Sequence, residues 1–395
     1  MAAQTVTVAP PLLAWARRRS GRDDAAMIKK FPRLNVWEET GQLTLRQLED
    51  FASYTHTPIG FLFLATPPHE ELPIPDYRTL SDVALEQPSP DLLDTLYTCQ
   101  LRQDWYVEQA AEGEQEPLGW VGSLDLATAP AQAATAIRAV VDTALDERRR
   151  LTTEAAFSLL TRNVEEAGAL VMTSGIVGAN THRPLSVHEF RGFSLVNPLA
   201  PLIFINGVDT RAGTNFTLFH ELAHLFVGKS GVDNPQPGLA AGEQTIEKWC
   251  NAVAAELLVP INRLVSDYRE EAEHEASMVP ELERLARIYK SSTLVVLSRL
   301  YDVRLLSWER YREEWEPERE RVKALAEAAR KKRKEDSDGG NTYNTLPIRN
   351  SRRFSIALIT SAINGDTAYL EAARLLNIRS MPTLDRYAHE LGVMT

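Results

Sequence analysis

His220, Glu221 and His224 form an H-E-x-x-H pattern, which constrains this chain more than any other feature of its sequence. Two imidazoles four residues apart on an α-helix lie about 40° apart around the helix axis, so both can reach one metal ion. Glu221 lies about 100° further round. From there its carboxylate can reach a water molecule on the same metal and take a proton, as in metalloproteases. The pattern therefore predicts a zinc site with a catalytic base.

Chance is the competing explanation, because a chain with 8 His in 395 residues shows such a pattern in roughly one case in a hundred. The flanking residues favour a real helix. Thr214–Thr217 offer polar residues for a helix start, and Gly228 lies where a helix would end. Apolar residues recur at helical spacing between them, at Phe219, Leu222, Ala223 and Phe226. A helix this apolar is expected to be buried, where each polar group needs a partner and a metal supplies one.

The third metal ligand is expected on the next helical segment, residues 244–259, which contains Glu247 and Glu256. Nine residues apart, these two carboxylates point to nearly opposite sides of a helix, so only one can face the metal. Glu247 is favoured because Asn251 follows one turn later and can orient a ligating His. Glu256 then remains an ordinary exposed carboxylate. Cys250, on the same face as Glu247, is either a thiolate ligand or a small buried residue.

Several runs of the sequence resemble the ImmA/IrrE family of bacterial metallo-endopeptidases. The strongest are Phe216–Phe226, Glu247–Pro260, Glu189–Phe193 and Pro201–Asn206, and weaker similarity occurs at Leu72–Arg78, Gly339–Tyr343 and Tyr369–Leu376. The resemblance covers most of residues 150–300. It implies an α+β, mostly helical chain with a gluzincin-like peptidase core, formed by a small sheet and the H-E-x-x-H helix.

The same resemblance implies one zinc ion per chain, with His220, His224 and Glu247 as ligands and Glu221 as the base. Relatives cleave helix-turn-helix repressors, so limited cleavage of a regulatory protein is expected, in stress response or in mobile-element or toxin–antitoxin control. The substrate would then be a repressor or a toxin encoded nearby. The alternative is a non-proteolytic, antitoxin-like or transcriptional regulator that binds a protein partner or DNA, since a metal site can be kept for structure alone.

Composition limits the remaining classes of function. No stretch approaches 18 apolar residues and the first eleven residues do not read as a signal peptide, so the expectation is a cytoplasmic protein without membrane contact. Cys99 and Cys250 make no disulfide framework, which fits a reducing compartment. The net charge of -11 argues against general nucleic-acid binding. DNA therefore remains a possible but not a favoured partner.

The chain is expected to divide into five segments. Residues 1–66 are predicted to form a degenerate Xre-like helix-turn-helix unit, 67–90 a proline-rich linker, and 91–275 the zinc peptidase domain. Residues 276–335 are predicted to contain a second helix-turn-helix-like segment and a long charged helix, and 336–395 a C-terminal helical module.

The amino-terminal segment shows helical periodicity at 12–19, 23–31 and 44–54. Its end, from Trp37 onward, resembles the last part of an Xre-type repressor domain. Only Pro32–Val36 separates the second helix from Trp37, which leaves little room for a recognition helix. Sequence-specific DNA binding and docking to a protein therefore both remain open, and docking is favoured.

In the peptidase segment, helices are predicted at 91–112, 131–149 and 153–167, and strands at 169–172, 193–196 and 202–205. An edge strand beside a metal cleft can bind an extended peptide through backbone hydrogen bonds. The candidate for this substrate-binding edge is the run Leu202, Ile203, Phe204, Ile205 and Asn206. His182 and His188 are candidates for stabilising an oxyanion, each against the alternative of a surface residue.

Overall fold

The computed structural model describes residues 5–77, 87–235, 245–275, 277–335 and 342–394. The chain divides into two compact units. One consists of Met1–Pro73 and Leu80–Leu96, and the other of Ile74–Thr79 and Tyr97–Thr395.

The first unit is a small helical domain with a two-stranded sheet. Its elements are β1 (Thr5–Thr7), α1 (Pro10–Arg19), α2 (Asp24–Lys30), α3 (Leu34–Thr40), β2 (Gln42–Thr44) and α4 (Leu45–Thr55), with β1 antiparallel to β2. Thr44 and Gln47 form a capping box at the start of α4, since each side chain bonds the other's backbone amide. Leu12, Trp37 and Phe51 lie in the buried core of this unit.

Helix α3 was not expected, because Pro32–Val36 read as a gap in the helical pattern. Leu34 and Trp37, three residues apart, are both buried, so one turn of this short helix packs into the core. Gly41 ends the helix in the left-handed conformation at φ 67°, and its amide donates to the Trp37 carbonyl.

Four helices precede the main sheet: α5 (Pro90–Glu112), α6 (Pro130–Val140), α7 (Leu145–Arg148) and α8 (Thr153–Glu166). The division between the two units falls within α5. The single helix predicted at 131–149 is wrong, because the chain turns between α6 and α7. Asp142 accepts a hydrogen bond from the Ala144 amide (2.7 Å), and Ala144 adopts φ 47°. The buried Arg148 then donates to the carbonyls of Leu257 and Leu258.

The second unit contains a four-stranded sheet. Its strands are β3 (Leu170–Ser174), β4 (Gly192–Leu195), β5 (Leu202–Asn206) and β6 (Gly231–Asp233), in the spatial order β3-β5-β4-β6. Strand β3 runs parallel to β5, whereas β4 is antiparallel to both β5 and β6.

The predicted substrate-binding edge is wrong. Strand β5, which is the run Leu202, Ile203, Phe204, Ile205 and Asn206, lies inside the sheet and pairs with β3 on one side and β4 on the other. All five residues are buried. Its backbone groups are already used in both ladders, so an extended peptide has no free edge there. Strand β6 is an edge strand of this sheet.

Helices α9 (Arg211–Val227) and α10 (Thr245–Leu258) pack against each other, and α9 also packs on β4 and β5. Helix α9 begins one turn earlier than predicted, because Thr210 caps it by accepting from the Gly213 amide. Gly228 ends it at φ 75°, as predicted. Every residue from Thr214 to Phe226 is buried, in agreement with the expected buried helix. None of the helices in the described ranges has the length and apolar character needed to cross a membrane.

The remaining helices are α11 (Ile261–Asp267), α12 (Val279–Tyr289), α13 (Thr293–Asp302), α14 (Trp308–Glu335), α15 (Thr342–Asn350), α16 (Arg352–Asn364), α17 (Tyr369–Leu375) and α18 (Met381–Leu391). The apolar face of α13 is buried in the same core as α9 and α10. The carboxyl-terminal helices are joined to α5 through the buried Arg102, which donates to the Leu375 carbonyl (2.9 Å) and to Asn350 Oδ1 (2.8 Å).

Candidate metal centre

His220 and His224 lie one turn apart on α9 and point the same way. Their Nε2 atoms are 3.2 Å apart and neither side chain is exposed to solvent. One nitrogen can donate a proton to the lone pair of the other, or both can present their lone pairs to a shared cation. The helix thus supplies two donors to one buried point, as the spacing predicts.

Glu247, in the first turn of α10, brings its carboxylate to both imidazoles. Its Oε2 lies 3.3 Å from His220 Nε2 and its Oε1 lies 3.3 Å from His224 Nε2. The packing of α10 on α9 places it there. Of the two glutamates considered on this helix, Glu247 is the one that meets the histidines.

Asn251, one turn after Glu247, contacts His220 from the other side of the ring. Its Oδ1 is 3.0 Å from His220 Nδ1. An amide oxygen only accepts, so Nδ1 carries a proton, and in the neutral ring Nε2 presents its lone pair to the cluster. This is the contact expected from the sequence.

Asp233, on β6, completes the group and was missed by the sequence analysis. Its Oδ2 lies 3.0 Å from His224 Nε2 and 3.5 Å from His220 Nε2, and its side chain is fully buried. Strand β6 has only three residues, too few for an alternating pattern to identify it. The one available signal is the position of Asp233, five residues after Gly228, the glycine that ends α9.

The four side chains form a donor set of the size that a small metal ion requires. Their ligand atoms all lie within 4.8 Å of one another. A zinc ion with bonds of 2.0–2.1 Å in a tetrahedral site separates its ligand atoms by about 3.3 Å. The His–His, His–Glu and His–Asp separations of 3.0 to 3.5 Å match that value. Two imidazoles and two carboxylates therefore could hold a metal ion at this point.

The electrostatics of the metal-free cluster are those of a site built for positive charge. Burial would lower the pKa of His220, but hydrogen bonds with Asp233 and Glu247 outweigh it and raise that pKa well above its usual value. Burial would also lower the pKa of His224, but Cys250 and Asp233 outweigh burial and raise that pKa well above its usual value. The pKa of Asp233 is lowered despite burial, chiefly by the charge of His224. A metal ion bound here competes with protons for the imidazoles.

Glu221 is buried beside this group without a hydrogen-bond partner for either carboxylate oxygen. Gly192 on β4 makes room for it, since a Cβ at that position would lie 2.7 Å from Glu221 Oε1. Burial raises the pKa of Glu221 well above its usual value, and the charge of Asp233 raises it further. A carboxylate that is buried, unpartnered and of raised pKa has the properties of a general base.

The outer edge of β6 is covered by the segment 75–77, which belongs to the same compact unit. The Tyr77 amide donates to the Val232 carbonyl and the Val232 amide donates to the Pro75 carbonyl, both at 3.0 Å. The Tyr77 ring stacks on His224, with centroids 5.7 Å apart and planes inclined by 15°. Arg78, the next residue, lies outside the described residues.

The other residues singled out in the sequence are not members of the donor set. His182 and His188 are both exposed, whereas the cluster is buried. Cys250 is fully buried and interacts with His224. The expectation that Glu256 is an exposed carboxylate is wrong. Glu256 is buried and forms an ion pair with Arg299 on α13, since its side of α10 faces the protein interior.

The fold and site together define a class of protein with an H-E-x-x-H helix packed against a small sheet. Where this helix, α10 and β6 meet lies a buried His/Asp/Glu group that could bind a metal. Residues 165–301 match the model of peptidase family M78, described as an IrrE N-terminal-like domain. This match supports a metallopeptidase of the ImmA/IrrE type and a protein as substrate. Residues 350–390 match a domain of unknown function, DUF8813. Comparison with curated proteins and with solved structures gives no significant match.

Proposed function

We propose that this chain is a zinc-dependent endopeptidase in which His220, His224 and Glu247 bind one zinc ion and Glu221 is the catalytic base. The observation that carries the proposal is the spacing of the donor atoms, 3.2 to 3.3 Å between these three side chains. The unpartnered carboxylate of Glu221 beside them supports it. A zinc ion held by these residues would lower the pKa of a bound water and polarise the scissile carbonyl.

The chain's own residues account for the proton transfers of peptide hydrolysis. Glu221 takes a proton from the attacking water and delivers it to the amide nitrogen as the C–N bond breaks, so one water is consumed and a carboxylic acid and an amine are released. Its raised pKa suits both roles, because a carboxylate must be basic enough to accept and acidic enough to donate. Asn251 keeps His220 in the tautomer that leaves Nε2 free.

The substrate is proposed to be a regulatory protein, a helix-turn-helix repressor or a toxin encoded nearby, cleaved at a limited number of bonds in the cytoplasm. The family match at residues 165–301 supports a protein substrate. The covered edge of β6 favours limited cleavage, because a peptide that pairs with this strand must first displace the segment 75–77.

We expect the purified protein to contain about one zinc ion per chain, because the donor set has room for one ion. Elemental analysis measures the zinc, and electrophoresis with mass spectrometry follows the candidate substrate. Removing the metal with a chelator should stop cleavage of the neighbouring-gene repressor, and re-adding zinc should restore it.

The same preparations test the alternative, a regulator without proteolysis. Two results together would support this alternative. Neither the metal-free nor the zinc-loaded protein would cleave any neighbouring-gene product, and the protein would prefer its own promoter over scrambled DNA by a factor of about 1,000. The first unit does not favour that outcome. Arg17 pairs with Asp24 and Glu38, and Arg19 pairs with Glu70, so these cations already have partners within the unit. We infer that this degenerate helix-turn-helix unit docks a protein.

A further inference from the structure

We propose that Asp233 is a fourth protein ligand of the metal, so that the site is closed in the resting protein. The inference rests on the proposed metal centre and adds a residue to it. Asp233 comes from β6, whereas the three ligands suggested by the sequence come from α9 and α10.

The distances place Asp233 on equal terms with Glu247. Asp233 Oδ2 lies 3.0 and 3.5 Å from the two imidazole Nε2 atoms, and the Glu247 oxygens lie 3.3 Å from them. The Asp233 side chain is fully buried, and neither oxygen has a hydrogen-bond partner apart from these ionic contacts. A buried carboxylate directed at two imidazole nitrogens fills the fourth corner of a tetrahedral site.

Charge balance supports the same assignment. Three buried carboxylates, Glu221, Asp233 and Glu247, surround two imidazoles in this cluster. A metal ion binds imidazoles in their neutral form, so the histidines do not balance the charge of the buried carboxylates once a metal is bound. A divalent cation would balance the charges of Asp233 and Glu247, most effectively when both carboxylates contact it directly.

A fourth protein ligand has a consequence for catalysis. Catalytic zinc sites keep one position for water or substrate, whereas sites with four protein ligands are structural. The Asp233 carboxylate must therefore move away, or share the site in a five-coordinate state, before hydrolysis. Such a centre is latent as long as Asp233 fills the position that water or substrate needs.

The test is metal binding, so it does not depend on proteolysis. Asp233→Asn keeps the shape of the side chain and Asp233→Ala removes it, and both should weaken zinc affinity at least about tenfold in competition with a chromophoric chelator. Acetohydroxamate, which needs an open position on the metal, should alter the visible spectrum of cobalt-loaded Asp233→Ala at about tenfold lower concentration than wild type. Asp125→Asn, at an exposed aspartate outside the cluster, should behave like wild type.

Unchanged zinc affinity and an unchanged acetohydroxamate response in both Asp233 variants would overturn this inference while leaving the proposed peptidase intact. A wild-type protein that takes up no metal would contradict the proposed function itself. If both variants fail to fold, a crystal structure of the zinc-loaded wild type decides the question. We expect an Asp233 oxygen about 2.0–2.2 Å from zinc, and a separation beyond 3 Å excludes coordination.

We also infer, from a separate observation, that the segment 75–77 occupies the edge where an extended substrate would bind. Asp76 bridges to Val232 in parallel orientation, where the Tyr77 amide donates to the Val232 carbonyl and the Val232 amide donates to the Pro75 carbonyl. Strand addition of this kind is how extended peptides bind to sheet edges. The Tyr77 ring covers His224 and lies where a side chain on Gly231 would stand, since a Cβ there would be 2.3 Å from the ring.

This covering segment should act as an internal competitor for substrate. Tyr77→Ala removes the ring, and Gly231→Ala adds a methyl group that the ring cannot tolerate, so both variants should release the segment. Two results are expected: faster hydrogen exchange at the Val232 amide, and a rise of at least about tenfold in kcat/KM toward a fluorogenic peptide. Tyr369→Ala, at an exposed tyrosine of α17, is the matched control.

Faster exchange at Val232 without a gain in kcat/KM would overturn the competitor role, as would a loss of activity in both variants. Hydrogen exchange at the Val232 amide as slow as in wild type, in both variants, would show that the segment stays paired without the Tyr77 contact. That result would equally contradict the inference. Zinc content measured in parallel shows whether either variant has altered the metal centre instead.

Discussion

Glu221→Gln should abolish peptide cleavage, lowering kcat/KM by about 10²–10⁴-fold, without loss of metal or of thermal stability. Gln has nearly the same shape as Glu but cannot accept a proton. Glu221 is not among the side chains whose ligand atoms meet at the metal centre, so the donor set stays complete. Its oxygens have no hydrogen-bond partner in the described structure, so folding loses no contact there.

The variant should even unfold at a slightly higher temperature in the metal-free state. Replacing a fully buried, unpartnered carboxylate by a neutral amide removes a desolvation cost. The measurement combines zinc analysis, thermal unfolding and peptide hydrolysis on one preparation. Glu154→Gln, at an exposed position in the first turn of α8, makes the same chemical change away from the site. Equal activity in Glu221→Gln and wild type would exclude Glu221 as the base.

The metal helix was predictable because several signals in the sequence agree. The histidine spacing, the apolar positions and Gly228 all indicate one helix, and the structure has it as α9. The start was placed too late because Thr210, the residue that caps the helix, stands before the apolar pattern becomes visible. Glu247 and Asn251 were predictable for a related reason. They lie one turn apart on one helix, and helix geometry fixes which side chains share a face.

Asp233 could not be found in this way, because its position depends on tertiary structure. A strand of three residues has no periodicity, and its place beside α9 follows from pairing with β4, a strand far away in sequence. The same limit explains the wrong assignment of the substrate-binding edge. An apolar run such as Leu202–Asn206 indicates a buried strand, but strand order is a property of the whole sheet.

Glu256 shows that the side of a helix opposite a site is not necessarily exposed. Helical spacing correctly separated it from Glu247. Its exposure was wrong because α10 is covered on that side as well, where Arg299 of α13 pairs with it. Sequence periodicity indicates which residues share a face, and only the packing of neighbouring helices decides whether two faces are buried.

Replacing each of the two glutamates of α10 by Ala should therefore have different effects, on zinc content in one variant and on stability in the other. Glu247→Ala removes a carboxylate that contacts both imidazoles, so zinc content should fall from about one per chain to a small fraction of that. The metal-free protein should keep its stability, because His220 and His224 can lose a proton when the carboxylate is removed, whereas an arginine cannot.

Glu256→Ala should instead lower the free energy of unfolding by about 3 kcal/mol, the lower end of the cost of breaking a buried ion pair. The Arg299 side chain is 6% exposed and would lose its closest partner. Its weaker contacts with Asp302 (3.4 Å) and with the Val259 carbonyl (3.3 Å) remain and limit the loss. The folded fraction should still contain about one zinc per chain, because Glu256 is outside the donor set.

Urea denaturation and elemental analysis of both variants separate a ligand from a structural residue, since each quantity should change in only one of them. The comparison is well matched, because the same substitution is made twice on one helix, at two buried carboxylates. Zinc retained in Glu247→Ala and lost in folded Glu256→Ala would mean that the wrong carboxylate was assigned to the metal. Loss of stability and zinc together in both variants would mean that metal binding and folding of α10 are inseparable, as in sites where the metal supplies the folding free energy.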